Sequence, residues 1–227
     1  MAFILLIDYL MNLPPKAFFG IYEFIRNGAG RRALPSQVLA QRILFVHIPK
    51  NAGTSISHAL YGKEIGHHPI SWYRERFPHT MSQLPSFAII RDPVTRFLSA
   101  FLFLKNGGMN EDDARFAREK LEPLQEPLQL AKACLDPEFW RDLQARHHHF
   151  KSQSSFVIWR GRRAVDFLLR FENLPVCLEQ LPIPPAWLTG LERRNPTRHP
   201  AKPTADHNLR ALIEKLYPED FTLWKSL

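Results

Sequence analysis

Ile43-Leu44-Phe45-Val46-His47-Ile48 runs straight into Pro49-Lys50-Asn51-Ala52-Gly53-Thr54-Ser55. A continuous apolar run without polar alternation suits a strand buried on both faces, and such strands belong to parallel sheets covered by helices. Pro49 through Gly53 then reads as a tight loop, and Thr54 to Tyr61 as a short helix with Ile56 and Leu60 on one side, closed by Gly62. The order is strand, loop, helix. It recurs at Phe87-Ala88-Ile89-Ile90, followed by Arg91, Asp92 as N-cap, Pro93 at the first helical position and an apolar stripe of Val94, Phe97, Leu98, Phe101 and Leu102. The expectation is an α/β fold, a central mostly parallel sheet flanked by helices with a phosphate-loop-like first turn. Ligands would then sit where the strands end.

Around this nucleus the chain reads as one domain, 1–227. Residues 105–150 are charged helices broken at Pro123, Pro127 and Pro137, a helical cap. Strands are expected at Ser155 to Trp159 and Ala164 to Leu169, a Pro-rich loop from Leu181 to Pro203, and a last amphipathic helix from Asn208 to Tyr217. Tyr217, Phe221 and Trp224 would anchor the tail. Residues 1–35 form an N-terminal amphipathic extension. Asp8, Asn12, Pro14, Pro15, Lys16 and Glu23 interrupt it, so no run approaches the ~18 to 20 apolar residues of a spanning helix. It lacks basic residues before its apolar stretch and a small-residue cleavage site after it, unlike a secretory leader. It suits packing on the domain or peripheral contact with a membrane surface, and the expected location is cytoplasmic.

Composition narrows the function. The 227 residues are 45% hydrophobic and 23% charged, which excludes a disordered chain or a rod. Cys134 and Cys177 are too few for a disulfide scaffold and lack metal-ligand spacing. A net charge of +8 calls for an anionic partner, and no basic patch with interleaved stacking aromatics points to nucleic acid.

The two turns are where an anion would be held. At the first, unpaired N–H groups and the positive end of the helix dipole meet Lys50, while Gly53 admits close backbone approach and Thr54 and Ser55 offer hydroxyls. Lys50 precedes Gly53, so the stretch is not the nucleotide-kinase loop, in which Lys follows the second Gly. At the second, Arg91 ends a strand with a planar fork suited to a terminal phosphate. Helical geometry turns Ser99 away from the apolar stripe beside Thr95, and places Arg96 off the stripe too.

Together, HIPKNAGTS and RDPVTRFLSAF resemble the 5'-phosphosulfate loop and the 3'-phosphate motif of sulfotransferases that use 3'-phosphoadenosine 5'-phosphosulfate (PAPS), in particular the carbohydrate and heparan 2-O-sulfotransferase-like branch. GHHP at Gly66 to Pro69, RFENL, the Gln153 region, the Asn195 loop and the YPEDF tail fall in similar order, so that the resemblance spans roughly residues 43 to 224. Asn51 departs from it, standing where Thr or Gly is commoner. The resemblance implies that Lys50, Asn51, Ala52, Gly53, Thr54 and Ser55 cradle the 5'-phosphosulfate, that Arg91 and Ser99 hold the 3'-phosphate, and that Asn195, Thr197 and Arg198 cover the cofactor. It implies in-line transfer of a sulfuryl group to a hydroxyl of a carbohydrate, glycolipid or other acceptor, leaving adenosine 3',5'-bisphosphate. Lys50 would neutralise the leaving phosphate.

A base with a pKa near working pH is needed for the acceptor hydroxyl, and histidine comes first. The GHxP match favours His67, with His68 as reserve and Glu64 third; His47 reads as packed in the sheet. His147, His148 and His149 would point to alternating faces of an extended chain, and no acidic cluster has ligand spacing, so no metal is expected. Gln153 and Glu172 read as site-wall or structural residues. Two rival readings remain: a phosphate-loop kinase, and a non-catalytic module binding anions or nucleic acid.

Overall fold

The computed structural model of the protein describes residues 34–188 and 207–227. The N-terminal extension up to residue 33, and Asn195, Thr197 and Arg198, lie outside the described residues. A short helix α1 (Ser36–Gln41) leads into strand β1 (Leu44–Val46), helix α2 (Gly53–Tyr61), helices α3 (Ile70–Arg76) and α4 (Pro78–Met81), strand β2 (Ser86–Ile90) and the long helix α5 (Pro93–Lys105). Every residue of β1 and β2 is buried, as two-sided coverage by helices requires. The regular part of the first strand is shorter than its apolar run, although Ile43 and Ile48 at its ends are buried as well.

Gly62 closes α2 in the left-handed conformation at φ 70°, its N–H donating to the His58 carbonyl. Asp92 caps α5 through a bond from the Thr95 N–H to its carboxylate, with Pro93 in the first turn. The Tyr61 hydroxyl fastens α2 to the sheet: it accepts from the Phe45 N–H and donates to the Ile43 carbonyl, both at 2.9 Å.

After α5 come α6 (Glu111–Phe116), a π-helical turn (Ala117–Leu121), α7 (Pro127–Ala133), α8 (Pro137–Arg146) and a 3-10 turn (His148–Phe150). These helices bury Phe116, Leu130 and Leu143 together with Phe97 and Phe101 of α5 and Ile213 and Phe221 of the C-terminal helices. Their apolar faces therefore join a second core built on α5, while the sheet has its own core of Phe45, Ile56, Phe87, Ile89 and Leu169.

The strand expected at Ser155 to Trp159 is mostly helix. Asp220 accepts from the N–H groups of Gln153 and Ser154, both at 2.8 Å, and so occupies the orphan donors that begin α9 (Ser154–Val157). Only β3 (Ile158–Trp159) is extended, and it pairs antiparallel with β4 (Arg162–Arg163) in a separate hairpin. Strand β5 (Phe167–Arg170) completes the main sheet in the order β1-β2-β5, all parallel, with Phe45 opposite Phe87 and Ala88 opposite Leu168. Helix α10 (Leu174–Leu178) follows, and α11 (His207–Leu216) and α12 (Pro218–Lys225) end the chain. The tail is anchored as its aromatics imply: the Tyr217 hydroxyl donates to the Phe150 carbonyl at 2.8 Å, Phe221 is buried, and the Trp224 indole donates to Glu172 at 3.2 Å.

Candidate functional site

Because β1 and β2 are parallel neighbours, the turns that follow them lie side by side. One Arg91 guanidinium N–H reaches across to the Lys50 carbonyl at 3.1 Å and ties the turns together. Lys50 (φ 71°) and Ala52 (φ 61°) both occupy the left-handed region, which costs a residue with a Cβ of order 1 kcal/mol or more and concentrates at functional sites. Ala52 offers no side-chain cap to α2, and its first turn has no acid. The positive end of that helix therefore opens onto the loop, and the nearby Glu64 carboxylate accepts from the Thr54 hydroxyl of its first turn.

The Lys50 ammonium sits 3.7 Å from the centre of the Phe103 ring. Burial, then the Arg91 and Arg96 guanidiniums, lower its pKa to about 8. Arg91 is also held by Thr95, which accepts from its Nε at 3.1 Å, and by the Phe171 ring, 4.6 Å from its Cζ. Ser99 follows Thr95 by one helical turn on the same face and is half-buried.

Arg96 overturns an expectation. Rather than lying away from the interior, it is only 2% exposed, and its Nε donates to the Pro49 carbonyl at 3.1 Å. Its Nη2 has no hydrogen-bond partner among the described residues. The apolar stripe is wider than a single row, because the loop carbonyls provide a polar patch inside it.

Asn51 and Gly53 serve the interior as well as the loop. The Asn51 amide donates to the Ile89 carbonyl and to Gln153 Oε1, both at 2.7 Å, and its side chain is 1% exposed. Its amide nitrogen is committed to the interior rather than to a ligand, and its Oδ1 has no hydrogen-bond partner among the described residues. A Cβ at Gly53 would fall on the His47 ring, so a glycine is required for the fold to close over that histidine. Thr54 donates through its hydroxyl to Glu64 at 2.6 Å.

The histidines divide into two groups. His67 Nδ1 lies 3.2 Å from the His47 carbonyl; a carbonyl only accepts, so Nδ1 carries the proton and Nε2 keeps its lone pair in the neutral ring. The ring packs between His47 (centroids 4.1 Å) and His148 (4.6 Å). Burial is the main cause that lowers the His67 pKa below its ordinary value; Lys50 and Arg96 also lower it, while the His47 bond and Glu64 raise it. His68 points elsewhere, stacked on Trp72 at 4.0 Å. His47 is 3% exposed between Phe45 and His67, packed as its position in the strand implies.

The triple histidine is not an extended run, contrary to the sequence reading: only His147 has extended backbone. It enters a 3-10 turn, and its rings separate by packing: His147 against Phe116, His148 onto His67, His149 against Phe103, which carries Lys50 on its ring. Two of the three thus wall the site, which alternation along a strand could not foresee. Among the described residues no group of three or more His, Cys, Asp and Glu is placed to hold a metal ion.

The arrangement gathers Lys50, Arg91 and Arg96 and the start of α2 at the ends of β1 and β2, with the His67 imidazole beside them. The sequence model of the sulfotransferase family matches residues 40–174, more than half of the chain. The chain belongs to the sulfotransferase family: it is an enzyme of sulfuryl transfer from a sulfate donor, and the matched stretch contains both turns, His67 and Gln153. No curated protein and no solved structure matches it.

Proposed function

We propose that the donor is PAPS and the acceptor a hydroxyl of a carbohydrate or glycolipid, as in the heparan 2-O-sulfotransferase-like branch. The observation that carries this is the Arg91–Lys50 contact, which sets two anion-seeking turns shoulder to shoulder at the ends of neighbouring strands. A ligand with two anionic ends fits such a pair better than a single phosphate. The residues fit the donor in charge: Arg91 and Arg96 both act electrostatically on Lys50, Asp113 offsets Lys50, and an Arg96 nitrogen has no partner among the described residues in the interior.

Lys50 to Ser55 would hold the 5'-phosphosulfate and Arg91 with Ser99 the 3'-phosphate, with Asn195, Thr197 and Arg198 as the cover. The donor supplies an activated sulfuryl group, displaced in line from its phosphate. Lys50 neutralises charge as it grows on the leaving phosphate, the positioning and electrostatic logic of phosphoryl transfer. His67 Nε2 takes the proton from the attacking hydroxyl, its ring fixed by the His47 carbonyl and the flanking imidazoles. His68, turned to Trp72, is the weaker choice of base.

A kinase would need the lysine on the other side of its glycine, and the binding-module alternative leaves His67 without a task. Titration calorimetry separates the three. Magnesium-independent binding of adenosine 3',5'-bisphosphate, with weaker binding of ATP and single-stranded DNA, is the expected result. Preference for MgATP would overturn the proposal.

A further inference from the structure

Gln153 is completely buried, and its side chain touches both turns at once. Its Oε1 accepts from the Asn51 amide at 2.7 Å and from the Arg91 N–H at 3.0 Å, while its Nε2 donates to the Arg91 carbonyl at 2.9 Å. The Arg91 backbone fixes the orientation of the amide, because an N–H can only donate and a carbonyl only accept. Gln153 is itself held from the C-terminal helix, through the bond from its N–H to Asp220 at 2.8 Å. Asp220 is completely buried, acts electrostatically on Arg96, and Arg96 in turn holds the Pro49 carbonyl at the head of the first loop. The path from α12 therefore reaches Pro49, Asn51 and Arg91, the beginnings and middles of both turns. Asp220 lies beyond residues 40–174, the stretch that matches the family.

We propose that Gln153 and Asp220 are positioning residues that set the separation of the two turns, so that a nucleotide with anionic groups at both ends is gripped by both together. This rests on the reading of the donor above. The physical reason is that two contacts on one ligand add their strengths only when the sites are held at the ligand's own spacing. A single buried amide with three hydrogen bonds to the two turns fixes that spacing, since each bond constrains the amide to one orientation.

The test compares three ligands by calorimetry on the full chain: adenosine 3',5'-bisphosphate, adenosine 5'-phosphate and adenosine 3'-phosphate. Gln153→Ala removes all three side-chain bonds, and Asp220→Asn weakens the hold on Gln153. Each is expected to lose about tenfold or more in affinity for the bisphosphate while either monophosphate changes by less than about threefold. Gln153→Glu keeps both acceptor contacts but, when ionised, sets a carboxylate oxygen against the Arg91 carbonyl in place of the donor. Its deficit relative to wild type is expected to be smaller and to narrow as pH falls, when the buried carboxyl is protonated and regains a donor. An equal loss for all three ligands, or no loss, would overturn the positioning role, because a general loss of folded protein does not distinguish one-ended from two-ended ligands. If the wild-type protein binds the bisphosphate no tighter than either monophosphate, the donor reading itself fails and the inference goes with it.

Discussion

With the proposed donor, raising the pH should weaken binding of adenosine 3',5'-bisphosphate through one side chain, Lys50. Burial and the nearby guanidiniums hold its pKa at about 8. A bound dianion beside it favours the charged form and draws the value back toward that of an ordinary lysine. Binding is then accompanied by proton uptake, and affinity should fall about tenfold, some 1.4 kcal/mol, from about pH 7 to about pH 9. Arginine does not titrate in this range, and the second phosphate ionisation, near pH 6, is already complete. The free enzyme should move the other way. Lys50 has a folded pKa below its unfolded one, so the folded state binds fewer protons between them, and this group's contribution to stability rises as pH climbs above 8. Calorimetry of adenosine 3',5'-bisphosphate in two buffers of different ionisation enthalpy measures the proton uptake directly. Lys50→Met should weaken binding at pH 7 and flatten the pH dependence. A wild-type affinity that is level from pH 7 to 9, or a slope that survives in Lys50→Met, would remove Lys50 from contact with the anion.

Gly53→Ala forces a methyl group onto the buried His47 ring, a collision that should cost about 1–3 kcal/mol and lower the melting temperature by several degrees, with partial recovery on adding His47→Ala; an unchanged melting curve would show that the ring has room to move. Ser99→Ala should lower affinity for adenosine 3',5'-bisphosphate by roughly 10-fold, the value of a hydrogen bond to a charged group, and leave adenosine 5'-phosphate unaffected; an equal effect on both would take Ser99 away from the 3' end. His67→Ala should reduce transfer by about 10²–10⁴ at unchanged bisphosphate affinity, and burial should place the acid limb of wild-type kcat/KM, which reports the free enzyme, below the ordinary histidine value. A limb above that value, or a loss confined to His68→Ala, would reassign the base.

The parallel α/β core was legible because buried strands leave continuous apolar runs: Leu44–Val46 and Phe87–Ile90 could hardly be anything else between loops rich in Gly and Pro. The caps were legible too, since Asp92-Pro93 and Gly62 act through their own backbones. What could not be read depends on contacts distant in sequence. Ser154–Val157 is helical because a carboxylate 66 positions away occupies its first N–H groups. Arg96 is interior because a carbonyl of the loop after β1, 47 positions away, waits there for it. His148 joins His67 because a 3-10 turn, not a strand, follows α8. Asn51 looked like a ligand contact by position, yet its amide is spent on β2 and Gln153, a bond across 102 residues. Local pattern carries the elements; the partners of polar side chains come only from the assembled fold.

Those long-range polar contacts also explain why the loop tolerates so much positive charge. Buried cations destabilise a fold unless other groups offset them; here Asp113 acts on Lys50 and the buried Asp220 on Arg96, while the flanking imidazoles of His67, His148 and His149 are driven toward the neutral form by burial. Each neutral imidazole removes a charge that would otherwise add to the repulsion around Lys50. The same neutrality leaves His67 Nε2 with the lone pair a base needs. One environment thus keeps the cations few enough to fold, strong enough to draw an anion, and the adjacent imidazole unprotonated, whereas a carboxylate placed to balance Lys50 fully would occupy the position the anion must take.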